Sequence, residues 1–241
     1  MEVRLSNSRI DRIGDSLRRG AADAACLHDL EAFRALYLPS YREVEKVLTE
    51  QLRLKITGRP AKSTVSIIEK LRRETTRLNQ IQDIAGCRLI CTRLQDQDYF
   101  VGMMRFLLRD CDVDDKRERP INGYRAVHVV ANSNTRPVEI QVRTALQHAW
   151  AELSEKLADR YGHSIKYGQG NQVVLDFLEK LSKEVRTLDL LRQERSDVTA
   201  TKAARGKSKA LVRRAKRLSA SDRETLKRVR VLFSEMERAR I

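Results

Sequence analysis

The sequence predicts an α+β protein, a sheet flanked by helices and extended by helices at both ends. Three observations carry that expectation. Tyr124–Asn132 and Val138–Val142 alternate between apolar and polar residues with a strand's period of two. IQDIAGCRLICTR at 81–93 is rich in apolar residues and reads as a largely buried strand. Most of the remaining chain repeats its apolar residues every three or four positions, the period of a helix.

Taken in order, Ile10, Ile13 and Leu17 mark a first helix, and Leu30, Phe33, Leu36 and Tyr37 a second that ends near Pro39. Ser40 reads as the N-cap of a longer helix striped by Tyr41, Val44, Val47, Leu48 and Leu52, with Gly58-Arg59-Pro60 as its stop. Ser63 or Thr64 caps a helix running to about Asn79, expected to bury Val65, Ile68 and Leu71. Lys62, Ser66 and Lys70, spaced by four, would form one basic ridge if all three are helical. Asp83 stands at the start of the strand that follows, and Gly86 permits close backbone approach. Asp96–Leu108 reads as a helix with Tyr99, Met103, Phe106 and Leu107 inward. Cys111–Arg119 is a charged loop or a short edge strand.

The two alternating stretches are joined by Ser133–Pro137, whose Asn and Pro suit a hairpin. After Thr144 a helix buries Leu146, Trp150, Leu153 and Leu157. A glycine-bearing turn follows, and then Val173–Leu191 repeats Val174, Leu178, Leu181, Val185 and Leu188 in near-heptad register. Composition shifts near Asp197. Thr199–Ile241 holds fourteen Lys and Arg against four Asp and Glu, +10 of the chain's +15, with apolar positions enough for one or two helices. The expected organisation is a helical segment at 1–39, a central domain at 40–167 and a basic helical extension at 168–241.

The net charge of +15 calls for a polyanionic partner: nucleotide, nucleic acid or an acidic surface. Cys26, Cys87, Cys91 and Cys111 are too sparse for a disulfide framework and lack zinc-type spacing with histidine. With no signal peptide and no run of 18 apolar residues, the sequence predicts a soluble, cytoplasmic protein without a membrane partner. On the second alternating strand Val138, Ile140 and Val142 point one way, and Glu139, Gln141 and Arg143 the other. A surface strand would show the same alternation. If this strand shares a sheet with the one that Asp83 opens, Asp83 and Glu139 converge on one magnesium ion, a site for phosphate chemistry.

With DIAGCR, NGYRAVH, EIQVRT and QHAWAEL in this order, residues 55–160 resemble the RelA/SpoT-type alarmone synthetases, most of all the small, synthetase-only members. The resemblance implies a nucleotidyltransferase-like mixed sheet with helices on its faces. It implies transfer of the β,γ-pyrophosphate of ATP to a ribose 3′-hydroxyl, usually of GDP or GTP. A toxic subgroup, which would bring an antitoxin as partner, modifies the 3′-terminal adenosine of tRNA instead. Asp83 matches the family's magnesium ligand and Glu139 the glutamate near the acceptor hydroxyl. Arg59 and Arg88 resemble the pair that sandwiches the adenine of ATP, and Lys62, Ser66 and Lys70 the residues that hold its phosphates. Tyr124 matches the tyrosine that stacks on the acceptor base. His128, Gln141 and His148 lie with it on the acceptor side. Arg119, with Lys116 and Arg117 as alternatives, adds charge there. Arg59 stands three residues before Lys62 where relatives commonly have two, and Ala126 replaces a frequent serine. From the four histidines, His28, His128, His148 and His163, no His-Asp hydrolase pair of the long members is expected. The basic tail suits contact with RNA. A catalytically inactive RNA-binding module is the non-enzymatic alternative, whose signature would be loss of Asp83 or Glu139. Both are present.

Overall fold

The computed structural model describes residues 5–133, 136–205 and 208–238. The chain forms two compact units. One comprises Met1–Leu89, Val101–Asp114 and His128–Gln141, and the other Ile90–Phe100, Asp115–Val127 and Val142–Ile241.

The first unit opens with α1 (Asn7–Arg19). The Ser6 hydroxyl accepts from the Arg9 N–H, and Gly20, at φ 71°, closes the helix in the left-handed region. Ile10, Ile13 and Leu17 are buried, as their spacing predicts. α2 (Ala24–Ala35) is capped by Asp23 and buries Leu30 and Phe33. α3 (Leu38–Lys46) carries Pro39 in its first turn and continues as one π-helical turn over Val47–Gln51. Ser40 is therefore a buried residue inside the helix, not its cap. Proline lacks only an N–H that the first turn leaves unpaired anyway, so Pro39 begins this helix instead of separating two.

β1 (Ile56–Arg59) is a strand where Gly58-Arg59-Pro60 reads, from sequence, as a helix stop. This four-residue strand pairs antiparallel with β2 (Ala85–Cys91), setting Thr57 opposite Arg88, Gly58 opposite Cys87 and Arg59 opposite Gly86. Glycine at 58 is a packing requirement, because a Cβ there would stand 1.8 Å from the Tyr41 hydroxyl oxygen. α4 (Thr64–Arg73) is capped by Ser63 but ends six residues before Asn79. Its buried face carries Ile67 and Leu71, while Val65 is 66% exposed and Ile68 only partly covered. The expected face was turned by about one residue.

β3 (Cys111–Asp115), β4 (Val127–Ser133) and β5 (Arg136–Thr144) complete a mixed sheet of order β1-β2-β5-β4-β3. The Cys111–Arg119 stretch thus yields the edge strand. The tip of the connection between β4 and β5, Asn134-Thr135, lies outside the described residues. Alternation divides the sheet in two. Cys87, Leu89, Val129, Ala131, Val138 and Ile140 are buried on one face. The other face carries polar side chains, among them Arg88, His128, Glu139 and Gln141. β4 begins at Val127, so Tyr124 is not a strand residue; it closes a bridge with Ile121 in the preceding turn.

α5 (Leu94–Leu107) differs most from expectation. Tyr99 and Phe106, expected inward, are 61% and 76% exposed, while Gln97 and Met104 are fully buried. The reason is polar. Gln97 donates to the Val142 carbonyl at 2.7 Å and to the Gln147 side chain at 3.1 Å, so a polar residue holds the inner face.

In the second unit, Thr144 and Gln147 form a reciprocal capping box at the start of α6 (Ala145–Tyr161). The buried Thr144 hydroxyl donates to Asp189 at 2.8 Å. α7 (Gln172–Arg205) runs well past Leu191, and α8 (Lys209–Arg238) follows it. Trp150, Leu157, Val174, Leu178, Leu181 and Val185 form the core, against which Val229, Leu232 and Met236 of α8 pack. Phe177 and Phe233 meet edge to face, 5.3 Å between centroids.

Candidate active site

Asp83 sits in the turn two residues before β2, where the polar face of the sheet begins. Both of its carboxylate oxygens are engaged. Lys62 pairs with Oδ2, and Lys70, reaching from α4, donates to Oδ1 at 2.9 Å. Lys62 is not helical, which corrects the three-residue ridge. It precedes α4, and its N–H donates to the Ile84 carbonyl at 2.7 Å. The backbone therefore fixes the lysine and the aspartate side by side. Arg59 donates to the Asp83 carbonyl oxygen at 2.9 Å, a third cation over the same turn. Burial pushes the Asp83 carboxyl up, but the Lys62 and Lys70 charges outweigh it and hold the pKa at about 2. Ser66 lies one turn into α4, its hydroxyl accepting from that of Ser63 at 2.9 Å.

Glu139 projects from β5 on the polar face. His128 Nδ1, on the neighbouring β4, is 2.9 Å from Oε1, and Gln141 donates to Oε2 at 2.8 Å. Burial raises the Glu139 pKa, the His128 and Gln141 contacts lower it, and the net shift is downward. The Asp83 charge opposes that shift. Two ionised carboxylates thus share one face within electrostatic reach of each other.

Between β1, β2 and β5 lies a crevice of about 130 Å³, lined by Thr57, Arg59, Gly86, Arg88, Glu139 and Gln141. The register explains its shape. Arg88 faces Thr57 across the ladder, and Arg59 faces Gly86, so the two arginines are diagonal neighbours on one face. Diagonal positions in an antiparallel pair stand about 7–8 Å apart. Both side chains are long enough to reach a flat ring placed between them, and guanidinium planes suit stacking on such a ring. Gly86 provides the floor, since a Cβ there would come within 2.6 Å of the Glu139 carbonyl oxygen. The volume is below the roughly 300 Å³ of pockets that enclose a drug-sized ligand, so the crevice is open to only part of a ligand of that size.

Among the described residues no group of three or more His, Cys, Asp or Glu is placed to hold a metal ion. Asp83 and Glu139 offer two hard oxygen donors, and magnesium commonly takes one or two carboxylates plus phosphate and water. The donor set fits that ion and not a thiolate- or imidazole-rich one.

The first unit therefore brings Arg59, Lys62, Lys70, Asp83, Arg88, His128, Glu139 and Gln141 to one sheet face and its approach. Arg119, Tyr124 and His148 belong to the second unit. There the Tyr124 hydroxyl accepts from Arg143 Nη2 at 2.8 Å, and the same guanidinium lies 5.0 Å from the ring centroid. Arg143 is buried, and sequence reasoning did not assign it a role; its place in EIQVRT, two residues after Gln141, was the available signal. Arg119 is exposed, and Arg117 is bound to Asp98 and Asp115, each at 2.6 Å. His148 Nε2 is 3.4 Å from Glu152 along α6. The sequence does contain one adjacent histidine–aspartate, His28-Asp29, contrary to expectation. It lies on α2, where Asp29 accepts from Arg9 twice, each time at 2.7 Å.

Residues 58–166 match the family model described as the region found in RelA / SpoT proteins. An uncharacterised protein of Mycobacterium tuberculosis is 35% identical over 188 residues, 68% of this chain and 63% of its own. A GTP pyrophosphokinase of Bacillus subtilis is 35% identical over 125 residues, 46% of this chain and 58% of its own. The chain thus spans somewhat less than two thirds of the length of these relatives. Among solved structures, the small alarmone synthetase 1 from Bacillus subtilis, bound to its product pppGpp, superposes with a TM-score of 0.58 at 27% identity, covering 73% of this chain and 99% of that one. Residues 58–166 thus carry the region found in RelA / SpoT proteins, and the chain shares the fold of the small alarmone synthetases.

Proposed function

We propose that the protein is an ATP-dependent pyrophosphokinase that transfers the β,γ-pyrophosphate of ATP to the ribose 3′-hydroxyl of GDP or GTP. The observation that carries this reading is the Asp83 turn. A carboxylate clasped by two lysines, on the same sheet face as a second carboxylate, is poised for a triphosphate. Arg59 and Arg88 flank the crevice and would stack on the adenine. Lys62 and Lys70 would turn from Asp83 to the phosphate oxygens, with Ser66 at the start of α4 beside them. Asp83 and Glu139 would hold Mg2+, which when bound neutralises the phosphate charge.

In the transfer, the acceptor 3′-oxygen attacks the β-phosphorus of ATP, the bond between that phosphorus and the oxygen bridging to the α-phosphate breaks, and AMP departs. The hydroxyl proton passes to Glu139, which is unprotonated at neutral pH, its pKa being lowered by the His128 and Gln141 contacts. His128 orients that carboxylate from β4. Such a reaction asks the protein mainly for positioning and charge neutralisation, which these groups supply. On the acceptor side Tyr124, fixed by Arg143, would stack on the guanine, with Arg119 and His148 as further contacts.

The test is incubation of purified protein with labelled ATP, Mg2+ and, separately, GDP, GTP or bulk tRNA. Labelled guanosine product is expected. Label on tRNA with none on GDP or GTP would replace the acceptor, and no label on any acceptor would leave the RNA-binding reading.

A further inference from the structure

We propose that the outward face of α8 is a docking surface for the phosphate backbone of double-helical RNA, independent of the site on the sheet. α8 has 30 residues, so at 1.5 Å per residue it is a rod of about 45 Å. Successive residues turn by about 100°, which places Arg213, Lys216, Arg217, Arg223, Lys227 and Arg230 on one side of it. All six are exposed. The opposite side is already occupied. Leu218 and Thr225 are buried, and Val229, Leu232 and Met236 rest on the Trp150 core. Lys209 and Arg238 extend the basic side at the two ends of the helix, and the other two basic positions are spent on α7. Arg214 binds Glu194 at 2.8 and 2.6 Å, and Arg228 binds Glu184 at 2.8 and 2.9 Å. The helix thus sorts its cations: those at its flanks fasten it to α7, and those on the far side face solvent in a row, within which Lys227 also pairs with Glu224 at 3.7 Å.

The chemistry of the row favours one occupant. An amphipathic helix that binds membrane needs an apolar face to insert; α8 turns Val229, Leu232 and Met236 to the core of its own unit and exposes only Val212, Leu226, Val231 and Phe233, spread along its length. Arginine and lysine can also contact guanine edges in a DNA major groove, so a DNA duplex is the competitor that the experiment includes. The row carries arginine forks and lysines spaced along a straight rod, which suits phosphates and leaves sequence unread. An A-form duplex is recognised in this way, by shape and backbone, because its major groove is closed to side chains.

The experiment measures binding of a fluorescent RNA duplex to the full chain by anisotropy, without ATP or acceptor, over a potassium chloride series. The variant carries R213Q, K216Q, R217Q, R223Q, K227Q and R230Q together. If each cation releases one counterion, the slope of log affinity against log salt should flatten by about 5. At low salt the variant should bind on the order of a hundredfold more weakly. Its helical circular dichroism and its pyrophosphoryl transfer between free nucleotides should match the parent. The corresponding variant with lysine at the four arginine positions should retain most of the slope. Equal affinity and slope in parent and glutamine variant would overturn the proposal. So would tighter parental binding to a DNA duplex of the same sequence, or to phosphatidylserine vesicles, than to RNA. Because the readout is binding alone, loss of nucleotide transfer in the parent would count against the proposed activity and leave this surface standing.

Discussion

His128 Nδ1 lies 2.9 Å from Glu139 Oε1, joining adjacent strands β4 and β5 through side chains on the polar face of the sheet. Gln141, two residues along β5, holds the other oxygen. The carboxylate is therefore fixed from both sides before any substrate arrives. Under the proposed reaction, Glu139→Gln keeps the shape and removes the proton acceptor. It should lower kcat by about 100-fold or more with little change in the KM for ATP. His128→Ala should lower kcat less and shift the acid limb of the kcat–pH profile upward, because the His128 contact lowers the Glu139 pKa. An unchanged profile in a folded His128→Ala protein would remove His128 from the positioning of Glu139.

Asp83 gives the clearest pH signature. Its folded pKa of about 2 lies below the unfolded 3.8, so its charge contributes stability that is present above about pH 4 and lost as pH falls through about 2. The shift corresponds to roughly 2 kcal/mol. Unfolding free energies of wild type and Asp83→Asn, measured by urea at pH 6 and again near pH 1.5, should differ at the first pH and converge at the second. A constant difference would mean that the lysine contacts are not what holds Asp83. At neutral pH the same variant should lose transfer activity, because one of the two carboxylates proposed to hold Mg2+ is gone.

How far these sites were legible depends on whether local pattern or pairing creates them. β5 was legible because valine and isoleucine alternate with polar residues from Val138 to Val142, and burial follows that alternation. The clasp on Asp83 was legible only in part. Its members were named, but Lys62 and Lys70 lie 21 and 13 residues away, and no spacing rule joins them. β1 was not legible at all, since four residues containing a glycine carry no period, and the strand exists through its ladder with β2. Tyr124 was placed on a strand because apparent alternation continues backwards from β4 into a turn. In α5 the inner face was misjudged because polarity alone sends a glutamine outward, whereas Gln97 is held inside by partners far along the chain.

Gly58 offers a test of the β1 edge. A methyl group at this position would occupy the space of the Tyr41 hydroxyl, which itself donates to Glu45 at 3.0 Å. Gly58→Ala should destabilise the protein by about 1–3 kcal/mol through overpacking. Adding Tyr41→Phe removes the clashing oxygen and should recover part of the loss. Thermal denaturation of the two single variants and the double variant measures the coupling. Strict additivity would show that the strand yields without involving Tyr41.

Arg88 separates donor from acceptor. It sits diagonally from Arg59 over the Gly86 floor, where a base between the two planes would gain stacking from each. Arg88→Ala should raise the KM for ATP about tenfold, a loss of ~1–2 kcal/mol, and leave the KM for GDP near its original value. The reverse pattern would exchange the two pockets.

Arg143 tests the acceptor side through a residue that need not touch the substrate. It binds the Tyr124 hydroxyl at 2.8 Å and lies over the ring at 5.0 Å, so it fixes the ring and covers one of its faces. A guanine stacking on Tyr124 would use the other face, and its affinity would depend on how firmly the ring is held. Arg143→Lys keeps a charge but lacks the planar fork that can donate to the hydroxyl while stacking. Both Arg143→Lys and Tyr124→Phe should therefore raise the KM for GDP by a few-fold, while Tyr124→Ala should raise it by more than tenfold. Because Arg143 and the Tyr124 hydroxyl act through one contact, combining Arg143→Lys with Tyr124→Phe should cost little more than either alone. Steady-state kinetics with ATP saturating reads all four variants. Additive losses in the double variant would show that Arg143 serves the acceptor by a route other than the tyrosine.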